Sequence, residues 1–298
     1  MKNPILNAPE LWRSSFPIPT PGSHKYTRGH TLVLSGGAFT TGAARLAARG
    51  ALRMGSGLVT LGTPREAAPI HGAHVTSIML RPVDSVEELS ILLESQVFKV
   101  VVIGPGRNGL SPHSLEAQEL TRGLVQVYAL KGQGALVLDA DGLTSFAPCR
   151  EELRAAVATM APRPVILTPH EGEFARLFPH LKEGMGDSAS KGQKAMAAAQ
   201  EMGAWVVLKG ACTCIAGPQE PLILNDRSVP WLASAGTGDV LAGFIAGLLA
   251  QGMKPHEACA AAVWLHSEAG QQLGPGLISE DLPEAIPSLL KGFMAQKH

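Results

Sequence analysis

The feature that most constrains this chain is an alternation. Short, unbroken apolar runs (TLVLSGG, GLVTLGTP, KVVVIGPG, ALVLDADG, PVILTPHE and WVVLKGA) each end in glycine, proline or a polar residue. Helix-like stretches such as GAARLAARGALRM, SLEAQELTRGLVQVYAL, EELRAAVATM and KGQKAMAAAQEMG lie between them. Continuous Val/Leu/Ile runs, rather than strict alternation with polar residues, predict strands buried on both faces. Strands alternating with helices predict right-handed crossovers and a mostly parallel sheet covered by helices on either side, an α/β fold. CTCIAGPQEPLILND reads differently, as a hairpin at one edge of the sheet, and the tail from Val240 reads as three helices. Residues 1–24 are Pro-rich and aperiodic and are expected to lie over the surface as an arm. Residues 25–298 contain no linker, repeat or charge block and are expected to form a single domain.

Composition narrows the function classes. The formal net charge is +0, so no broad basic field exists to hold nucleic acid or an anionic membrane. Aromatic residues are only 5% of the 298, which argues against a stacking platform for single strands. Cys149, Cys212, Cys214 and Cys259 form no CxxC pair, and a CxC beside no histidine cluster is poor zinc geometry, so they are expected to be small apolar residues. The opening stretch lacks the apolar core of a secretory signal, and the longest apolar run, Val240 to Ala250, is too short to cross a bilayer. The expectation is a soluble cytoplasmic protein with no membrane or nucleic-acid partner.

The unusual residues fall where the strands end: Gly36-Gly37, Gly104-Pro105-Gly106, Asp139 and Asp141, Thr168-Pro169-His170, and Lys209-Gly210. In an open parallel sheet those ends share one rim, and that rim is where ligands bind. GTGD at 236–239 runs directly into the apolar helix VLAGFIAGLLA. Asp239 is either a plain N-terminal charge on that helix, or a base beside backbone N–H groups that form an anion nest. IGPGRNG is neither a Walker loop nor a dinucleotide fingerprint, so Gly104 and Gly106 would clear space for a ligand or simply make a tight loop. The two acids of LDADGL are read as turn formers, with metal binding the alternative. In TPHEGEF, His170 and Glu173 share one face of a helix that begins near Pro169, and His170 is expected to face a ligand. Lys209 in LKGACT is either an outward-pointing charge or a partner for a nucleotide phosphate, within reach of Thr213.

With these motifs in order over roughly Lys25 to Gly270, the chain resembles the ADP-dependent NAD(P)H-hydrate dehydratases, carbohydrate-kinase-like repair enzymes of the ribokinase superfamily. The segments that carry the likeness are GGAFTTGAARLAARGALRMGSGLVTLGTP, IGPG, LDADGL, TPHEGEF, LKGACT, AGTGDVLAGFIAGLLAQG and AVWLHSEAG. The resemblance implies a ribokinase-like three-layer sandwich of nine to ten strands. It implies nucleotide-dependent dehydration of the S form of hydrated NADH or NADPH (NADHX, NADPHX), with ADP or ATP as phosphoryl donor and Mg²⁺ as cofactor. It also implies roles by position. Ala43, Gly106, His170 and Asp239 would contact the hydrated nicotinamide nucleotide, and Asp239 would be the catalytic base. Lys209, Gly210, Ala211, Cys212, Thr213 and Gly238 would hold the adenine nucleotide. Ala235, Gly236, Thr237 and Gly238 would form the anion hole, and Glu173 would organise Mg²⁺ through water. A homo-oligomer, often a tetramer in this family, and an epimerase activity on a separate polypeptide are further expectations. Two departures stand out: Arg227, Ser228 and Val229 are unusual before the anion hole, and Ala235 occupies a usual glycine position. A Cβ there would loosen the nest if the residue needed positive φ. Two rival functions fit the same motifs: a small-molecule kinase of the superfamily, of the vitamin-precursor type, and a non-catalytic nucleotide-binding member.

Overall fold

A computed structural model describes residues 3–107, 114–181 and 188–295. Among these residues ten strands form one sheet: β1 (Ile5–Leu6), β2 (His30–Leu34), β3 (Leu58–Thr63), β4 (Met79–Pro82), β5 (Val100–Ile103), β6 (Ala135–Leu138), β7 (Val165–Leu167), β8 (Trp205–Leu208), β9 (Thr213–Ala216) and β10 (Ile223–Asn225). Their spatial order is β1-β10-β9-β8-β7-β6-β5-β2-β3-β4, and β9 alone runs against its neighbours. The helices are α1 (Thr41–Arg53), α2 (Ala68–His74), α3 (Val86–Ser95), α4 (Leu115–Lys131), α5 (Asp141–Thr144), α6 (Arg150–Met160), α7 (Glu171–Leu177), α8 (Ser188–Met202), α9 (Thr237–Ala250), α10 (Pro255–Leu273) and α11 (Asp281–Ala295).

The period of two in each strand divides one apolar run between two cores. Val100 and Val102 join α1, α9, α10 and α11 on one face, while Val101 and Ile103 join α3, α4, α6, α7 and α8 on the other. The result is the helix–sheet–helix sandwich of the ribokinase-like fold, as expected. Helix α9 is buried from Val240 to Ala250 and so is apolar all round. It lies close along α1: a Cβ on Gly50 would sit 2.9 Å from the carbonyl oxygen of Val240, so small residues set this approach. Among the described residues, no helix is long and apolar enough to cross a membrane.

The N-terminal segment departs from the expectation of a surface arm. Ile5 and Leu6 pair in parallel with Ile223 and Leu224, which makes β1 the edge of the sheet. Trp12 is fully buried and stacks on Phe293 at 5.2 Å, with Trp264 and Phe16 tilted against it at 5.8 and 5.9 Å. A two-residue strand between prolines has no detectable periodicity. Its place is set by the free edge of β10 and by a large indole that gains most from burial.

Chain order along the sheet reverses between β2 and β5. From β2 the chain moves outward to β3 and β4, then returns to β5 and continues through β6, β7 and β8. Such a reversal leaves a crevice beyond the carboxyl ends of the two strands. Gly36 and Gly106 meet there, and the ends of β6, β7 and β8 continue the same rim towards the N-terminus of α9.

Candidate active site

Lys209 and Asp139, seventy residues apart, are the centre of the rim. Lys209 follows β8, and its Nζ donates to Oδ1 of Asp139 at 2.7 Å; Thr168 Oγ1 donates to the same oxygen at 2.8 Å. Asp139 is thus not a turn former alone: it is the buried counter-ion of Lys209. The alternative of an outward-pointing lysine is likewise set aside. Burial works against the Lys209 ammonium, but Asp139, Glu173 and Asp239 outweigh it and hold the group charged. Backbone pairing fixes the lysine: Lys209 N–H donates to the Pro169 carbonyl at 2.8 Å, which extends the β7–β8 ladder to the bridge between His170 and Lys209. Immediately after Asp139, Ala140 adopts φ 46° and ψ −117°, the one non-glycine at positive φ among the described residues. Strain of this kind costs on the order of 1–3 kcal/mol and persists where surrounding contacts over-determine it.

Helix α9 brings the carboxylate and the donors. Gly236, at φ 90°, is its N-cap and supplies no side-chain cap, so the first-turn N–H groups of Thr237, Gly238 and Asp239 stay available to an anion. A Cβ on Gly236 would lie 2.6 Å from both Leu46 and Ser279. The left-handed position is therefore Gly236, and Ala235 needs no positive φ, so its Cβ does not loosen the nest. Thr237 Oγ1 donates to the carbonyls of Leu232 and Ser234 at 2.9 and 3.0 Å, and His266 Nε2 bonds the Thr237 carbonyl at 2.9 Å. Gly238 faces Lys209: a Cβ there would be 3.2 Å from Nζ. Asp239 follows, and burial, then Asp139, with Glu173 and Asp141 adding and Lys209 opposing, push its carboxyl up to about 7. No described residue donates a hydrogen bond to it. The GTGD carboxyl thus sits near neutrality beside three other acids, in the first turn of the helix.

His170 and Glu173 form a reciprocal cap on α7. Nδ1 of His170 accepts from the N–H groups of Gly172 and Glu173 at 2.9 and 3.2 Å, and Glu173 Oε2 accepts from His170 N–H at 2.7 Å. With Nδ1 an acceptor, the proton sits on Nε2. The ring is half exposed to the cleft, and burial followed by the Lys209 charge lowers its pKa, so it stays neutral. Glu173 is buried, 4.0 Å from Lys209 Nζ, and burial raises its pKa against the pull of that lysine.

Two cavities open on this rim and share Lys209, Gly210, Ala211, Thr237 and Gly238 as a wall. One is an open cleft of about 690 Å³ between that wall and His170–Gly172. The other, of about 340 Å³, runs under Arg227, Val229, Leu241, Val263 and His266 and includes Thr213. Arg227 is accounted for: it pairs with Glu268 at 2.7 Å, lies over the Trp264 ring at 5.0 Å and closes the cavity wall. Cys212 lines neither cavity. Ala43 and Gly106 touch each other instead at the β2–β5 crevice: a Cβ on Gly106, whose φ is 68°, would be 3.3 Å from that of Ala43, and Thr40 Oγ1 donates to the Gly106 carbonyl at 2.7 Å.

Lys191 was not singled out from sequence. Its buried ammonium donates to Glu171 Oε1 at 2.8 Å and to the Lys209 carbonyl at 3.0 Å, so it braces the Lys209–Thr213 loop. It sits within an ordinary alanine-rich helix, where nothing local distinguishes it from a surface lysine.

A carboxyl titrating near neutrality, an uncapped helix N-terminus and a buried ammonium thus share one rim of a ribokinase-like fold. Residues 31–286 match the profile of the carbohydrate-kinase-like family described as NAD(P)H-hydrate dehydratase, and the chain belongs to that family. It is 36% identical over 273 residues to the bifunctional NAD(P)H-hydrate repair enzyme Nnr of Gloeobacter violaceus, covering 90% of this chain and 50% of that protein. It is 32% identical to the ADP-dependent (S)-NAD(P)H-hydrate dehydratase of Xanthomonas campestris pv. campestris, covering 92% of each. The Bacillus subtilis ADP/ATP-dependent NAD(P)H-hydrate dehydratase, co-crystallized with ATP/Mg2+, superposes with a TM-score of 0.78 at 27% identity over 98% of this chain and all of that one. The chain spans about half the length of the bifunctional relatives it matches.

Proposed function

We propose that this chain dehydrates the S form of hydrated NADH or NADPH at the expense of ADP or ATP, returning the intact reduced cofactor. The observation that carries the reading is Asp239, held near pKa 7 in the first turn of an uncapped helix facing Lys209. A carboxylate tuned to neutrality matches its proton affinity to the working pH more closely than one at its ordinary pKa.

Hydroxide is a poor leaving group, so the ring hydroxyl must first be activated. Asp239 takes the hydroxyl proton as that oxygen forms a bond to the terminal phosphorus of the nucleotide, and the bond from that phosphorus to the leaving nucleotide breaks. The N–H groups of Thr237, Gly238 and Asp239, the dipole of α9 and the Lys209 ammonium spread the charge on the transferring group. The ring nitrogen lone pair then expels phosphate, and loss of a proton from the neighbouring carbon restores the double bond. The 340 Å³ cavity suits the adenine nucleotide, with the loop from Lys209 to Thr213 along its phosphates. The cleft at His170 and the crevice at Ala43 and Gly106 are assigned to the hydrated nucleotide.

Mg²⁺ fits as a hydrated ion. Among the described residues no three His, Cys, Asp or Glu side chains are placed to enclose a metal. Glu173, buried beside the cleft with one oxygen on His170 N–H, suits an ion that keeps most of its waters and takes its other ligands from phosphate. When bound, Mg²⁺ would supply charge neutralisation on the nucleotide phosphates.

The test is incubation with NADHX or NADPHX and ADP or ATP in Mg²⁺, following return of reduced-nicotinamide absorbance and release of phosphate. Recovery of absorbance with one phosphate per cofactor supports the assignment. A stable phosphate ester without recovery would make the chain a kinase instead.

A further inference from the structure

Beside the assigned crevice lies a third cavity, of about 680 Å³, that the proposed chemistry does not use. Its floor is the outer face of α1, where Arg45, Arg49 and Arg53 recur every four residues and so project along one side of the helix. It begins at Gly42, next to Ala43, and its near wall is Leu46, whose Cδ1 also abuts Gly236 of the anion hole. Glu280 closes the opposite side, one residue after Ser279, which likewise abuts Gly236. From Gly42 to Arg53 the helix rises ~16 Å, enough for an extended nucleotide.

The charges in the groove are unequally matched. Arg49 Nε and Arg53 both grip the carboxylate of Glu284, with Arg49 at 2.7 Å. Arg45 makes no ion pair among the described residues; its Nη1 donates only to the hydroxyl of Thr41 at 2.8 Å, which leaves the rest of the fork open. Three guanidiniums face two carboxylates, so the groove keeps a surplus positive charge nearest the crevice. Arginine forks match phosphate oxygens in geometry as well as charge.

We propose that this groove takes the adenosine end of the hydrated dinucleotide, and that Arg45 reads its 2′-phosphate, so that the chain prefers hydrated NADPH over hydrated NADH. The proposal rests on the dehydratase reading for its substrate, but the groove can be tested without turnover. The two substrates differ by one phosphate monoester, and Arg45, with no ion pair among the described residues, is the group beside the crevice that distinguishes them. Glu280 opposes the same phosphate and moderates the preference.

Two measurements decide it. In steady-state assays, the ratio of kcat/KM for NADPHX to that for NADHX should be about tenfold or more in the wild type, should fall about tenfold in Arg45→Ala and should rise a few-fold in Glu280→Gln. By titration calorimetry on protein whose adenine-nucleotide cavity is already saturated with ATP, adenosine 2′,5′-bisphosphate should bind more tightly than AMP, and Arg45→Ala should abolish that difference, with thermal unfolding at the wild-type temperature as the folding control. Equal losses for both hydrates in Arg45→Ala would mean that the groove reads the pyrophosphate common to both, and would overturn the 2′-phosphate assignment. So would a wild type that binds AMP and the bisphosphate equally. If neither hydrate is converted with either donor, the dehydratase reading fails, and the calorimetric comparison still decides what the groove recognises.

Discussion

At the scale of single residues, the chemistry depends on one proton affinity. As the proposed base Asp239 must be ionised, and burial and its acidic neighbours push its carboxyl up to about 7, so kcat/KM should climb with pH through that value and level off above it. Asp139 is the largest charge that raises it; Asp139→Asn should move the midpoint to lower pH by roughly one unit, which a pH–rate profile measures. Asp239→Asn should lower turnover by roughly 10³-fold while nucleotide affinity changes little. The same substitution has a stability consequence whose sign is opposite to that of an ordinary salt-bridged acid. The folded state holds this proton more tightly than the unfolded chain, so the contribution is full below the unfolded value near 4 and is lost as pH rises through about 7. Asp239→Asn should therefore raise Tm at pH 8, by roughly 2–5 °C, and leave it nearly unchanged at pH 4, in paired calorimetric scans. The shift was not legible in the sequence. GTGD shows a carboxylate entering a helix, but the acids that perturb it lie about 65 to 100 residues upstream.

At the scale of elements, the mouth of α9 matters more than any one strand. Gly236 takes the left-handed conformation that turns the chain into the helix and leaves its first donors uncapped. Gly236→Ala meets both the φ penalty and contact with Leu46 and Ser279, and should cost ~1–3 kcal/mol in denaturant melts together with at least tenfold in turnover. Ala235→Gly should change turnover by less than about twofold, because that residue carries no conformational demand. From sequence alone these two neighbours could not be ranked. Both are small, and only the path of the preceding turn, pinned by the two Thr237 hydroxyl bonds, decides which must be glycine. The capping box of α7 is different. His-x-x-Glu after a proline marked a helix start, and the structure places both side chains there, one exposed to the cleft and one buried beneath it.

At the scale of the whole molecule, the edge strand and Trp12 tie the N-terminal segment into the same core as α10 and α11. Trp12→Ala should destabilise the protein by ~3–5 kcal/mol in chemical denaturation, whereas a surface arm would tolerate the change. What the sequence by itself determined was the alternation of strand and helix, and hence a sandwich whose strand ends share a rim. Apolar periodicity is local, and burial on both faces leaves a readable run of Val, Leu and Ile. What only the tertiary structure decided was which rim residues meet. Lys209 finds Asp139, Lys191 braces the Lys209 loop, and Arg45 on α1 beside the crevice makes no ion pair among the described residues. Those outcomes depend on the order of strands across the sheet and the reversal between β2 and β5. Side chains pair through space, and neither the composition nor the spacing of the chain encodes the distance between two loops.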